Sequence, residues 1–131
     1  MKNGFTLLEL MMGLAIVAIL VTMAYPTYSN YIIKSRRTDG QIALLDLSSR
    51  MERFYSQNNS YQGATLTALG ISPLSPSGFY RLAIISPQAT SFIIQATPIK
   101  SQVNDTDCGA LTYNQLGEKG AAGTLASEEC W

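Results

Sequence analysis

A short polar leader, Met1 to Gly4, gives way at Phe5 to a nearly continuous apolar run that ends at Tyr25 and carries one charge, Glu9. The run is 21 residues long, and at about 1.5 Å of helical rise per residue it spans roughly 30 Å, the thickness of a bilayer core. A secretory signal peptide would have a shorter apolar core and a small-x-small cleavage site after it. Here the chain continues as Tyr25, Pro26, Thr27 and Tyr28 without such a site. Beyond residue 25 the helical pattern persists to about Gln57: Ala43, Leu44, Leu47, Met51 and Phe54 recur at spacings of three and four and define one apolar face. Arg36, Arg37, Asp39, Asp46, Arg50 and Arg53 cover the remaining surface, as on a helix half embedded in a head and half solvated. Pro26 predicts a kink or a locally melted stretch over 22–26. Gly13 and Gly40 are further weak points, and Asn58, Asn59 and Ser60 are stop signals.

The segment 58–78 is rich in Asn, Ser, Gly, Thr and Pro and reads as a connecting loop with one short turn near 65–69. Strands are predicted over 79–86 and 91–99, joined as a hairpin, then over 109–114 and, more weakly, 118–122 after a turn at Gln115, Leu116 and Gly117. Pro98 places the end of the second strand there, or puts that strand at an edge. The expected fold is α+β: a long N-terminal helix packed on an antiparallel sheet of about four strands. The expected divisions are a leader 1–4, a membrane or filament-core helix 5–25, an amphipathic helix 26–57, the loop 58–78, and a sheet with its tail over 79–131.

Once the helical segments are set aside, about 75 residues remain for a globular head, a size at which an apolar core alone gives marginal stability. Cys108 and Cys130 are the only cysteines. As a disulfide they close a loop worth roughly 3 kcal/mol if the compartment is oxidising; the alternative is two reduced thiols. The formal net charge is zero, so no global attraction to nucleic acid is implied. There is no histidine, which removes the commonest general base and metal ligand near neutral pH. Asp105 and Asp107 lack further oxygen ligands at loop spacing and read as turn formers beside Cys108 rather than a calcium site. Glu128 and Glu129 read as solvated charges. Gly117, Gly120 and Gly123 are too widely spaced for a phosphate cradle. The chain is not expected to be an enzyme, and no cofactor or metal is expected. Trp131 reads as a cap on the head core in preference to a subunit contact.

Glu9 demands a reason, because a carboxylate inside a membrane helix costs on the order of 3 kcal/mol on insertion scales. Cleavage after Gly4 supplies one: the new α-amine of Phe5 would lie about one helical turn from Glu9, or would meet the Glu9 of a neighbouring chain. Gly4, Phe5, Thr6, Leu7, Leu8 and Glu9 in this setting resemble the processing motif of type IV prepilins and pseudopilins. In that family a membrane peptidase cuts after the glycine and methylates the new N-terminal phenylalanine. The resemblance extends through the order of helix, loop, antiparallel strands and cysteine-bounded tail. Residues 34–37, 50–55 and 59–61, and the tail from Cys108 to Gly120 that closes at Cys130 and Trp131, are most similar to minor pilins of the PilE type.

The resemblance implies assembly rather than catalysis. The chain would rest in the bacterial inner membrane as a single-pass protein with a periplasmic head, and later join a type IV pilus at the cell surface used for motility, adhesion or DNA uptake. Its expected partners are other pilin subunits, the prepilin peptidase and N-methyltransferase, and the inner-membrane assembly machinery. The Glu9 to amine pairing would set axial register, since an unpaired charge in an apolar filament core is heavily penalised. Lys34, Arg36 and Arg37 fall on the exported side, against the usual bias of positive residues. The alternatives are a major pilin, a type II secretion pseudopilin and a DNA-uptake receptor pilin. DNA is the weakest of the partner expectations: beyond residue 60 the head offers Arg81, Lys100 and Lys119 against five acids, and the basic residues on the helix have solvation as their default role.

Overall fold

The computed structural model describes residues 4–131; of the expected leader, Met1, Lys2 and Asn3 lie outside the described residues. Helix α1, Leu7–Asn58, is followed by an irregular segment 59–79 and then by β1 (Tyr80–Ile84), β2 (Ile93–Pro98), a 3-10 turn (Lys100–Asn104), β3 (Leu111–Asn114), β4 (Lys119–Ala121) and the four-residue α2 (Ser127–Cys130). The chain divides into two compact units, one up to Ile32 and one over Ile33–Trp131.

In the first unit the apolar stretch is helical and bare, and none of its most apolar window is buried within the chain. The helix continues through Pro26, so the melted stretch expected over 22–26 is absent. The ring removes one donor, and the amides on either side keep the helix continuous.

In the second unit the strands form an antiparallel meander in the order β1-β2-β3-β4. Register places Leu82 opposite Ala96, Ala96 opposite Leu111, and Leu111 opposite Ala121. Because strand side chains alternate between faces, this row and its neighbours Tyr80 and Ile94 point to one side. There they meet Ala43, Leu44, Leu47 and Met51 of α1 in a single buried cluster. The predicted helical face is thus the core face. Gly40 is no weak point: a Cβ built there would stand 2.9 Å from two Tyr80 ring carbons, so the absent side chain is what lets the aromatic ring lie against the helix. The helix stops one residue past the expected end, with Asn59 left-handed at φ 54° and its amide donating to the Tyr55 carbonyl at 2.7 Å, an asparagine C-cap. Around Thr65 the expected turn forms, with Thr65 Oγ1 accepting from the Ala68 amide. The second strand ends at Pro98, as expected. The 3-10 turn and α2 have no counterpart in the sequence pattern.

Candidate functional site

The N-terminal motif lies at the start of α1. Thr6 and Glu9 form a reciprocal pair: the Thr6 amide and hydroxyl donate to Glu9 Oε2 at 3.1 and 3.0 Å, and the Glu9 amide donates to Thr6 Oγ1 at 3.3 Å. This is a capping box, in which threonine and a glutamate three residues on satisfy the orphan amides of a first helical turn. The T-x-x-E spacing that signals such a cap lies within the N-terminal motif itself. Gly4 and Phe5 are exposed, Phe5 to 87%, and both precede the first helical residue, Leu7. Gly13 faces open space.

A second arrangement fixes the C-terminal tail to α1. Cys108 and Cys130 form a disulfide with a Cα separation of 5.6 Å, and both are buried. Arg37, expected among the solvated charges, is buried and bonds Asp105 twice: Nε to Oδ2 at 3.0 Å and Nη2 to Oδ1 at 2.8 Å. Asp105 is therefore more than a turn former. Its carboxylate also accepts from Gln102 Nε2 at 3.3 Å and from the Cys108 amide at 3.4 Å. One helical turn on from Arg37, Gln41 Nε2 donates to the Cys130 carbonyl at 2.8 Å. Arg37 and Gln41, spaced i and i+4, thus hold the two ends of the disulfide-closed segment against one face of α1. Gln102 completes the join by donating to the Ile33 carbonyl and to the Tyr80 hydroxyl, both at 3.1 Å. No sequence signal pairs residues 37 and 105, which meet only through the sheet.

Trp131 is half-buried, as the capping role requires: its indole donates to the Gly120 carbonyl at 3.0 Å and its ring lies 5.7 Å from that of Tyr113. Asp107, Glu128 and Glu129 are exposed. Among the described residues no group of three His, Cys, Asp or Glu side chains converges as a metal site would require. Of the remaining cations, Arg50 bonds Asp46 at 3.3 Å and the Leu69 carbonyl at 3.1 Å, whereas Arg36 and Lys100 flank the Phe79 ring.

A long helix with a bare apolar N-terminal stretch, an antiparallel meander over its second half, and a disulfide-closed tail define a type IV pilin. The chain belongs to the family described as "Type IV minor pilin ComP, DNA uptake sequence receptor", matched over residues 26–112, and residues 1–25 match the prokaryotic N-terminal methylation motif. Pilins are structural proteins, not enzymes. The chain is 27% identical to the type IV major pilin PilE1 of Neisseria gonorrhoeae over 80% of its length, and spans 62% of that relative. A type IV pilin from Shewanella oneidensis superposes with a TM-score of 0.57 at 26% identity, over 76% of this chain and 97% of that one. The non-core minor pilin PilV of Neisseria meningitidis shares the fold at a TM-score of 0.59 and 20% identity, over 71% and 89% of the two chains.

Proposed function

We propose that this chain is a minor subunit of a type IV pilus, cut between Gly4 and Phe5, methylated on Phe5, and built into the filament or used to prime it. The carrying observation is the bare apolar helix: Leu7, Leu10, Leu14, Ile16, Leu20 and Met23 are all more than half exposed. Apolar area of that extent must be covered by lipid before assembly and by equivalent helices afterwards. The reading assigns residues 1–4 to a leader, 5–25 to the membrane and filament core, and 26–131 to the exported part. It gives the chain a place in the inner membrane and then in the surface pilus. Its partners are the prepilin peptidase, the assembly machinery and other pilins. Glu9 supplies the register contact once the Phe5 amine is released.

Quantitative mass spectrometry of filaments sheared from cells tests this. Trace amounts of a chain beginning at N-methylated Phe5, beside a dominant pilin, are expected. A processed chain confined to the membrane fraction would favour a pseudopilin, and one dominating the filament would make it the major subunit.

A second reading, that the assembled head receives DNA, is favoured by the family match over residues 26–112. The structure bears on it in one respect. Asp105 is held against Arg37, so one of the five acids counted against DNA is already compensated.

A further inference from the structure

One aromatic ring just before β1 is flanked by two cations. The Arg36 guanidinium carbon stands 3.9 Å from the centre of the Phe79 ring, and the Lys100 ammonium stands 5.8 Å from it. Arg36 Nη1 also donates to Ser101 Oγ at 2.8 Å. The ring and the hydroxyl fix the guanidinium plane and leave its other N–H groups for a further acceptor. Neither cation belongs to an ion pair among the described residues; the pairs there are Arg37 with Asp105 and Arg50 with Asp46. The acid one helical turn from Arg36, Asp39, accepts from the Ser77 amide at 3.2 and 3.3 Å. Lys100 is held at φ 54°, a left-handed backbone at a residue with a side chain. Departures of this kind persist where surrounding contacts over-determine them, and they gather at binding sites. The Ile99 amide, donating to the Phe79 carbonyl at 2.8 Å, provides that constraint next door.

We propose that Arg36, Lys100 and Ser101, arranged around Phe79, form a phosphodiester-binding ledge that contacts the backbone of duplex DNA. The proposal rests on the DNA reading above and assigns it a surface. Guanidinium and ammonium groups with a neighbouring hydroxyl are the donors that phosphate oxygens take. The Phe79 ring is half-buried and already faced by Arg36, so it orients a cation and does not stack a base. Membrane lipid offers the same phosphate chemistry, but the family match over residues 26–112 favours DNA. The ledge reads phosphate and not sequence, so discrimination between DNA sequences lies elsewhere on the head.

The test is anisotropy of labelled duplexes of two unrelated sequences with the full chain in zwitterionic nanodiscs, across a salt series. Each phosphate neutralised contributes about 0.9 to the slope of log K against log salt. Arg36→Gln with Lys100→Gln should make the slope shallower by about 2, equally for both duplexes, and Lys100→Gln alone, at an exposed position, by about 1. A wild-type slope retained in both variants would overturn the ledge and leave the DNA reading standing. So would variants that lose retention on vesicles of anionic lipid yet bind DNA normally. Absence of wild-type binding even at low salt would remove the DNA reading and the ledge with it, while the filament measurement would still decide the subunit reading.

Discussion

Glu9 caps its own helix, and the proposed processing would give it a second role. In the chain with its leader attached, the carboxylate caps the first turn through Thr6. Under the processing proposed above, cleavage would leave it one turn from a new cationic amine, which would be a stronger partner in an apolar filament core. Glu9→Gln keeps a hydrogen-bonding cap but removes the charge, whereas Thr6→Ala removes the cap and keeps the charge. Glu9→Gln should insert into membranes normally and be depleted from sheared filaments several-fold, and Thr6→Ala should be depleted far less. Equal depletion of the two would assign Glu9 to capping alone. Tyr61 gives a second residue-level prediction. Its phenol is packed beside Phe92 and Tyr55 and donates to Glu52 Oε1 at 2.9 Å. Burial, then the Glu52 carboxylate, pushes its pKa from 10.0 up to about 12. A raised folded-state pKa means the contribution is complete below pH 10 and is lost as pH rises toward about 12. Burial also raises the Tyr80 pKa, so that group works in the same direction. Thermal melts from pH 9 upward should show Tm falling above about 10, and the fall should be shallower in Tyr61→Phe. Superimposable pH profiles would exclude Tyr61 from the effect.

The contact between α1 and β1 sets two substitution effects against each other at Gly40. Alanine in a helix interior is worth about 1 kcal/mol over glycine, but the added Cβ would stand 2.9 Å from the Tyr80 ring. The ring is fully buried and its hydroxyl is tied to Gln102, so it has little room to move. Overpacking of this kind costs about 1 to 3 kcal/mol. Gly40→Ala should therefore lower the denaturation midpoint of the head, and a raised midpoint would show that the ring yields. A related element-level prediction concerns the clamp between α1 and the segment before Cys108. Asp105→Asn leaves Arg37 buried without its counter-charge, a loss of about 3 to 5 kcal/mol for a well-buried pair. Replacing both, Arg37→Met with Asp105→Leu, should cost less than the single change. A single variant as stable as wild type would show that water reaches Arg37.

Taken as a molecule, this pilin carries a small head whose tail depends on covalent and ionic fixings more than on apolar area. Beyond β3 the chain contributes a three-residue strand and a four-residue helix, with Cys130 and part of Trp131 reaching the core. Opening the disulfide with Cys130→Ser should cost roughly 3 kcal/mol on chain-entropy grounds and should make the segment after Cys108 susceptible to proteolysis before the rest of the head. Uniform cleavage across the head would mean that Gln41 and Trp131 hold the tail without the bond. Local interactions made much of this architecture readable in advance. The apolar run, the processing motif and the i, i+3, i+4 face of α1 depend on residues within one or two helical turns, and strand alternation and the Asn59 cap depend on immediate neighbours. Two elements are not legible for the same reason in reverse: the 3-10 turn and α2 are too short to carry a period. Of the kink or melted stretch expected at Pro26, the melted stretch is absent, because one lost hydrogen bond does not melt a helix this long. What no local reading supplied was the pairing of Arg37 with Asp105, of Gln41 with the Cys130 carbonyl, of Gly40 with Tyr80, and of Arg36 with Phe79. Each joins residues tens of positions apart through a register that exists only when the sheet lies on the helix. Charge and glycine have no meaning of their own in a sequence; whether they are solvated, paired or making room depends on what the fold brings within a few ångströms.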